Sequence, residues 1–188
     1  MEKNDNELVI DYRNGDRKAI EVLVKRYLPS IYNFVRRFVG EEYADDVAQE
    51  TFVKVWKHIN RFDEKRNFKV WLFTIARHVS IDWTRKKKLT PFSVFEDEDG
   101  TFDVEDASPL AMEIFQRKET AVALDKLLDE LPLDRKTIIL LHDSEMLPFA
   151  EIAEIVEKPM NTVKSQYRRA IMVLRKKVKN GNAPKLQG

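Results

Sequence analysis

The chain has 188 residues, of which 43% are hydrophobic and 35% are charged, which suits two small helical units with strongly charged surfaces. It contains no cysteine, and no apolar run approaches the roughly 18 residues needed to span a bilayer, so neither a disulfide framework nor a membrane anchor is predicted. The amino terminus is polar and acidic and does not resemble a signal peptide, so the expected location is a reducing cytoplasm.

The net charge of +1 conceals three segments of different charge. Residues 1–90 hold 19 Lys and Arg against 14 Asp and Glu, and residues 117–188 hold 14 against 10. Residues 91–116 between them hold eight acidic residues and no basic one. Two prolines, one glycine and weak periodicity in this middle segment predict a linker, which is either a solvated acidic tether or a segment with an ordered role.

In the first unit, apolar residues recur at helical spacing from an Asp16 cap to Gly40, which interrupts the pattern. These residues are Ile20, Leu23, Val24, Tyr27, Ile31, Phe34, Val35 and Phe38. The next predicted helix runs from Glu41 to Asn60 and is amphipathic. Its apolar stripe is Ala44, Val47, Ala48, Thr51, Phe52, Val55 and Ile59. A single apolar residue, Val53, lies on its polar side, which is a weak indication of a protein contact.

The last helix of the first unit is predicted from about Phe68 to Lys88, because its apolar residues follow the same spacing. They are Phe68, Leu72, Ile75, Ala76, Val79 and Trp83. Cations and aromatic residues alternate along this helix, an arrangement that suits single-stranded nucleic acid. In the opposite interpretation, Trp71 and Phe73 belong to the core and the terminal basic run favours the helix dipole.

The second unit ends in a helix pair with the length and interruption of a helix-turn-helix. A short helix, Phe149 to Val156, is separated by Lys158-Pro159 from a longer helix that runs from about Asn161 to Val178. Residues 162–179 carry seven basic residues and no acidic one, so the outward side suits phosphates and base edges rather than being only a solvated basic face. The inward side is predicted to be Val163, Tyr167, Ala170 and Leu174. Since no strand pattern competes anywhere, the predicted fold class is all-α.

Three stretches, in order, resemble the extracytoplasmic-function (ECF) sigma factors of bacterial RNA polymerase. The first stretch is Ala44-Asp45-Asp46-Val47-Ala48-Gln49-Glu50-Thr51-Phe52, similar to the polymerase-binding helix of region two. The second is Phe68 with Trp71-Leu72, Ile75-Ala76, Asp82 and Arg85-Lys86-Lys87, similar to the helix that melts and reads the minus-ten element. The third is Leu131-Pro132, Glu151-Ile152-Ala153-Glu154-Ile155 and Asn161-Thr162-Val163-Lys164-Ser165, similar to the region-four helix-turn-helix for the minus-thirty-five element.

The resemblance implies a sigma factor that directs promoter-specific initiation with core RNA polymerase, through its largest and second-largest subunits, and that an anti-sigma factor controls. The implied division is region two in residues 1–89, an acidic linker in 90–116, region four in 117–180 and a flexible tail in 181–188. The resemblance also implies that the acidic linker enters the polymerase cleft.

The resemblance also implies three sets of site residues. Core polymerase would contact Asp45, Asp46, Gln49, Glu50 and Val53. Minus-ten DNA would contact Lys65, Phe68, Lys69, Trp71, Arg77, His78, Arg85, Lys86 and Lys87. Minus-thirty-five DNA would contact Asn161, Thr162, Lys164, Ser165, Arg168 and Arg169.

Departures from the family pattern lie mostly in the parts that contact DNA. His78 stands where Asn is common and Gln166 where Arg is common, and both bear on the promoter sequence. Glu157, Met146 and Asn161 replace usual glycines. Glu157 therefore has either a negative φ or a strain of roughly 1 kcal/mol, and Asn161 either caps a helix or adopts a left-handed turn.

Two other functions remain as alternatives. An autonomous helix-turn-helix regulator would use the second unit without needing the Asp45 to Phe52 helix or the aromatic, basic helix after Phe68. A nucleic-acid-processing enzyme lacks support, because the three histidines show no ligand spacing and no glycine-rich phosphate loop is present. No catalytic residue, metal or cofactor is therefore predicted.

Overall fold

The computed structural model describes residues 3–89 and 123–178, and no strand occurs among them. The first unit contains helices α1 (Asp5–Arg13), α2 (Arg17–Val39), α3 (Glu41–His58) and α4 (Phe68–Leu89), with a 3-10 turn (Ile59–Arg61) after α3. The second unit contains α5 (123–129), α6 (Leu133–Ile139), a π-helical turn (Leu140–Ser144), α7 (Phe149–Val156) and α8 (Met160–Lys177). The predicted all-α fold with two units is confirmed. The linker prediction for 90–116 and the tail prediction for 181–188 lie outside the described residues.

The helix ends of the first unit follow local chemistry. Asp16 is the N-cap of α2, and its side chain accepts a hydrogen bond from the backbone N–H of Lys18. Gly40 ends α2 at a φ of 85°, a conformation that glycine adopts without strain. The preceding helix, α1, was not predicted from the sequence. Its capping box joins Asn4 and Glu7, and that spacing is the signal that indicates it.

Helix α2 is central to the first unit, because α1, α3 and α4 all pack against it. The apolar stripe predicted for α3 faces this core, and only Phe52 in it is partly exposed. The ring of Phe73 in α4 is fully buried and lies edge-on to Phe34 of α2, at 5.3 Å between centroids. Phe73 is therefore a core residue, as one of the two interpretations of α4 held.

In the second unit, α6 and α7 both pack against α8. Val163 and Ala170 of α8 are fully buried, while Tyr167 and Leu174 pack against the core from its edge. The inward side of α8 is therefore the predicted one, and α7 and α8 form the predicted helix-turn-helix. Asn161 neither caps α8 nor turns left-handed, since Pro159 is the N-cap and Asn161 lies within the helix.

The two units contact each other, because α4 of the first packs against α7 of the second. As a result, the helix predicted to meet single-stranded DNA lies beside the first helix of the helix-turn-helix. Nothing in the sequence indicated this contact.

Two residues that replace usual glycines keep the backbone conformation that a glycine would suit. Met146 has a φ of 56° and Glu157 a φ of 55°. Glu157 ends α7 in the left-handed region, so of the two alternatives for this residue the strained one is correct. For an L-residue this conformation costs roughly 1–2 kcal/mol.

We expect Met146→Gly to raise the free energy of unfolding by about 0.5–1 kcal/mol. The side chain of Met146 is 80% exposed, so its loss removes little packing. Relief of roughly 1–2 kcal/mol of strain exceeds the roughly 0.5–1 kcal/mol of backbone entropy that glycine costs. Urea unfolding measures the difference. Met172→Gly is the matched control, because Met172 is an exposed methionine inside α8, where glycine should destabilise by about 1 kcal/mol. Equal destabilisation by both changes would contradict the strain at Met146.

Candidate protein and nucleic-acid interfaces

The residues predicted to bind polymerase lie along the outward side of α3. Asp45, Asp46, Gln49 and Val53 are exposed. Glu50 is half-buried and forms an ion pair with Lys54 one turn later, at 3.2 Å. Helical spacing gives this result directly, because the buried stripe of α3 leaves these positions on the opposite side.

An apolar groove of about 610 Å³ lies between α2 and α3, next to these residues. Ile20 and Val24 line it from α2, and Phe52, Val53 and Trp56 line it from α3. Trp56 is 58% exposed, which is unusual because tryptophan normally buries most of its surface. Sequence reasoning identified Val53 but missed Trp56, although Trp56 lies three residues after Val53 and outside the buried stripe.

The exposed indole of Trp56 is held in place. Its Nε1–H donates a hydrogen bond to the hydroxyl of Tyr12 in α1, at 2.6 Å. A large apolar side chain with a fixed orientation loses little conformational entropy when a partner covers it. The groove is therefore an exposed apolar surface in which one large side chain has a fixed orientation.

The basic residues and the histidine predicted to contact minus-ten DNA divide into two groups along α4. Lys69, Arg77 and His78 face the second unit and lie beside its carboxylates. Lys65, in the turn before α4, and Arg85 and Lys86, near its end, are exposed. The side chain of Lys87 lies outside the described residues.

The aromatic residues of α4 have different positions. Phe68 is only 2% exposed and packs edge-on to Phe62 at 5.6 Å between centroids, so its ring is not available for stacking on a base. The predicted DNA contact of Phe68 is therefore corrected, and the residue is assigned to the core. Trp71 is partly exposed and rests against Phe62 and Phe68. Of the two, Trp71 alone presents part of its ring at the surface.

One carboxylate of the second unit, Asp134, joins both units. It accepts hydrogen bonds from Arg77 of α4, at 3.1 Å, and from Lys158 in the turn before α8. Burial alone would raise the pKa of Asp134, but the hydrogen bonds from Lys158 and Arg77 outweigh burial and hold its pKa below the ordinary value. Asp134 is therefore charged at neutral pH and anchors Arg77.

The basic outward side of α8 is free of carboxylates. Asn161, Arg168 and Arg169 are exposed. Thr162, Lys164 and Ser165 are half-buried, and the hydroxyl of Ser165 donates to the backbone carbonyl of Thr162 at 2.9 Å. The six predicted minus-thirty-five residues thus lie in the first half of α8, and Asn161 and the two arginines are the accessible ones.

Further along α8 the cations are not equivalent. Lys177 forms an ion pair with Glu130, which follows α5. Lys176 is exposed beside it. The better candidate for a phosphate contact in this turn is therefore Lys176.

A group of three rings fixes α8 against the rest of its unit. The ring of His142 stacks on Phe149 at 4.3 Å between centroids and meets Tyr167 edge-on at 4.8 Å. The Tyr167 hydroxyl donates to Asp143 at 2.9 Å. Burial is the larger cause, and this hydrogen bond the second, of a Tyr167 pKa above its ordinary value. His142 lies in the π-helical turn, whose widened geometry was not indicated by the sequence.

Among residues 3–89 and 123–178, no group of three or more His, Asp or Glu is arranged to hold a metal ion. Over the same residues, no helix is long and apolar enough to cross a membrane. The described residues form a two-unit helical protein with a helix-turn-helix in the second unit and an exposed apolar groove on the first.

Comparisons with known proteins agree with this class. The model of Sigma-70 region 2 matches residues 23–90, and the model of Sigma-70 region 4 matches residues 121–174. The ECF RNA polymerase sigma factor SigW of Bacillus subtilis is 31% identical over 176 residues, which cover 89% of this chain and 93% of SigW. The chain therefore belongs to the ECF sigma factors, which direct RNA polymerase to promoters in transcription initiation.

Two solved structures share the fold. CnrH, in complex with the cytosolic domain of CnrY, superposes with a TM-score of 0.71 at 22% identity over 94% of this chain and 97% of CnrH. RpoE of Bartonella quintana, in complex with the anti-sigma factor NepR, superposes with a TM-score of 0.65 at 22% identity over 86% of this chain and 98% of RpoE.

Proposed function

We propose that the chain uses three separate surfaces to initiate transcription. The groove between α2 and α3, with the outward side of α3, binds the largest subunit of core polymerase. The exposed face and basic end of α4 contact the melted minus-ten element. The outward side of α8 reads the minus-thirty-five element as duplex.

The observation that carries this proposal is the apolar groove beside an acidic helix. Trp56 and Val53 provide the apolar contacts, and Asp45 and Asp46 provide carboxylates on the adjoining outward side of α3. Buried aromatic anchors surrounded by polar residues are typical of stable protein interfaces. A regulator that binds only duplex DNA has no use for such a surface on the unit that lacks the helix-turn-helix.

The chemistry of α4 and α8 supports different forms of DNA. On α4, the partly exposed Trp71 and the cations Arg85 and Lys86 suit an unpaired strand, which offers base faces and phosphates together. On α8, the exposed Arg168 and Arg169 suit the major groove, where an arginine forms a bidentate contact with guanine. The two units thus divide melting from duplex recognition.

The protein contributes no catalytic chemistry of its own in this proposal and acts in the bacterial cytoplasm, where core polymerase and promoter DNA are found. An anti-sigma factor is proposed as its regulator. The complex of the similarly folded RpoE with NepR supports this part of the proposal.

Reconstituted transcription tests the function. Bacterial core polymerase is supplied with the full-length chain and a library of duplex fragments that carry random upstream sequence. Chain-dependent transcripts from a minority of fragments, with a shared upstream sequence, are expected. A template with a pre-melted start region should give transcripts with less dependence on the minus-ten sequence. Failure of immobilised core polymerase to retain the chain, together with absence of chain-dependent transcripts, would refute the proposal.

A further inference from the structure

Helix α1 holds the segment that leads into α4. We refer to this segment, residues 62–67, as the α4 entry loop. The guanidinium of Arg13 donates to the backbone carbonyls of Ile59, at 2.7 Å, and Phe62. It also forms an ion pair with the carboxylate of Glu64. One side chain of α1 is therefore bound to the 3-10 turn and to two residues of the α4 entry loop.

A second side chain of α1, Asn6, reaches the middle of the same loop. Its amide nitrogen donates to the backbone carbonyl of Glu64 at 2.7 Å and lies 3.4 Å from that of Arg66. Asn6 and Arg13 lie about two turns apart on α1, so both project from one side of the helix. Most of their acceptors are backbone carbonyls. These contacts therefore determine the course of the loop and leave most of its side chains free for other contacts.

Hydrogen bonds within the α4 entry loop complete its shape. The carboxylate of Asp63 accepts from the backbone N–H of Lys65 at 3.0 Å, and the N–H of Arg66 donates to the carbonyl of Asp63 at 2.9 Å. The side chain of Asn67 then accepts from the N–H of Lys69 at 2.9 Å, as an N-cap does. The loop therefore sets the first turn of α4 and keeps the side chain of Lys65 exposed.

The α4 entry loop also supports Trp71, whose ring is partly exposed on α4. Between centroids, the ring of Trp71 lies 5.0 Å from that of Phe62 and 5.7 Å from that of Phe68. Phe62 is the residue whose backbone carbonyl accepts from Arg13. The orientation of Trp71 therefore depends on Arg13 through Phe62.

From these contacts we infer that Asn6 and Arg13 are positioning residues for the melted minus-ten strand. They hold the α4 entry loop so that Lys65 and Trp71 are in place before the strand arrives, and they need no contact with DNA themselves. A surface that is already ordered loses less conformational entropy on binding, so it binds the strand more tightly. Both residues precede the segment that matches Sigma-70 region 2, which begins at residue 23. This inference rests on the proposed role of α4 in binding the minus-ten strand.

The test uses two variants of the full-length chain, each with a matched control. Asn6→Ala removes the amide that holds the loop, and Asn14→Ala removes an exposed amide at the other end of α1. Arg13→Lys keeps the charge but loses the planar fork that spans the two carbonyls and the carboxylate. Arg17→Lys makes the same change at an exposed position at the start of α2.

Arg13→Lys is a mild change for the fold. The Nε atom of Arg13 is buried and has no hydrogen-bond partner within the described residues. A lysine at this position removes that unsatisfied donor, which offsets part of the loss of the other hydrogen bonds. The variant therefore tests the position of the loop in a folded chain.

Two quantities are measured for each variant. Holoenzyme assembled from core polymerase and the full-length variant is titrated with a fluorescent single-stranded DNA pool of about 12 random nucleotides, with core polymerase alone as the background. The free chain is labelled with 5-fluorotryptophan, and fluorine NMR reports its three tryptophans. Trp71→Phe identifies the Trp71 signal. Trp83, which packs on Tyr43 far along α4, serves as the internal reference.

Asn6→Ala and Arg13→Lys should each weaken single-stranded binding by about three- to tenfold and shift the Trp71 signal, while the Trp83 signal stays in place. Asn14→Ala and Arg17→Lys should match the parent chain in both quantities. A purely structural role would lower resistance to urea and leave the Trp71 signal and the single-strand affinity of the folded chain at the parent values. Parent values for either quantity in both Asn6→Ala and Arg13→Lys would overturn the inference.

Failure of the proposed function gives a different result. A parent holoenzyme that binds no more single-stranded DNA than core polymerase alone would refute the role of α4, and the inference with it. Parent holoenzyme that binds above this background, with variants that match it, would refute the positioning alone.

Discussion

Trp56→Ala is expected to weaken the binding of core polymerase by at least about thirtyfold, which corresponds to about 2 kcal/mol. Trp56 combines three properties of an interface anchor: it is large and apolar, it is 58% exposed, and the hydrogen bond to Tyr12 fixes its orientation. Its side chain lines a groove that has room for an apolar partner group. Removing the indole should leave the fold intact, because most of its surface already faces solvent.

The control for this change is Leu28→Ala. Leu28, in α2, is also an exposed apolar residue, at 44%, but it is not among the residues that line the groove. Affinity is measured by titrating labelled core polymerase with each variant, and circular dichroism checks that both keep their helices. If Trp56→Ala and Leu28→Ala bind equally well, the groove is not the polymerase contact.

Arg168→Ala is expected to reduce affinity for the preferred minus-thirty-five duplex by about 1–3 kcal/mol and to relax discrimination at one base position. Arg168 lies on the exposed side of α8, two turns after Asn161 and one turn after Lys164, so it continues the side that a recognition helix presents to base edges. The contact between α4 and α7 leaves this side of α8 accessible, so the full-length chain is suitable for the measurement. Binding to a duplex library at two salt concentrations shows both effects.

Lys176→Ala is the matched comparison, because Lys176 is exposed two turns later on α8. A phosphate contact there should weaken binding to all sequences alike and reduce the salt dependence by at most about one unit of slope. A uniform loss of affinity from Arg168→Ala, with an unchanged preferred sequence, would mean that Arg168 positions the domain and that the base contacts lie elsewhere.

Much of the fold was predictable because α2, α3, α4 and α8 each carry their own periodic signal. The apolar stripe of α3 and the inward and outward sides of α8 depend only on helical spacing. They therefore identify buried and exposed positions without knowledge of the helices that pack against them. Phe68 shows the limit of that method. Spacing placed it on the apolar side of α4, while the resemblance suggested a DNA contact, and the packing of Phe62 against its ring favours the core.

The parts that were not predicted depend on contacts between distant segments. Glu145 and Glu157 look like ordinary surface carboxylates in the sequence, and only the structure shows that they lie beside Lys69 and His78 of the other unit. Trp56 could have been found, since it falls outside the buried stripe of α3. The π-helical turn at His142 carries no local pattern that distinguishes it from an α-helix.

Helix α1 determines where a fragment of the first unit can begin. The guanidinium of Arg13 donates to the backbone carbonyls of Ile59 and Phe62, and so ties α1 to the turn that leads into α4. Leu8 and Val9 are buried beneath it. The segment that matches Sigma-70 region 2 begins at residue 23, inside α2. A fragment trimmed to that match would begin in the middle of α2 and expose the apolar surface on which α1 packs. A correctly folded fragment must therefore keep the residues from the Asn4 cap onward.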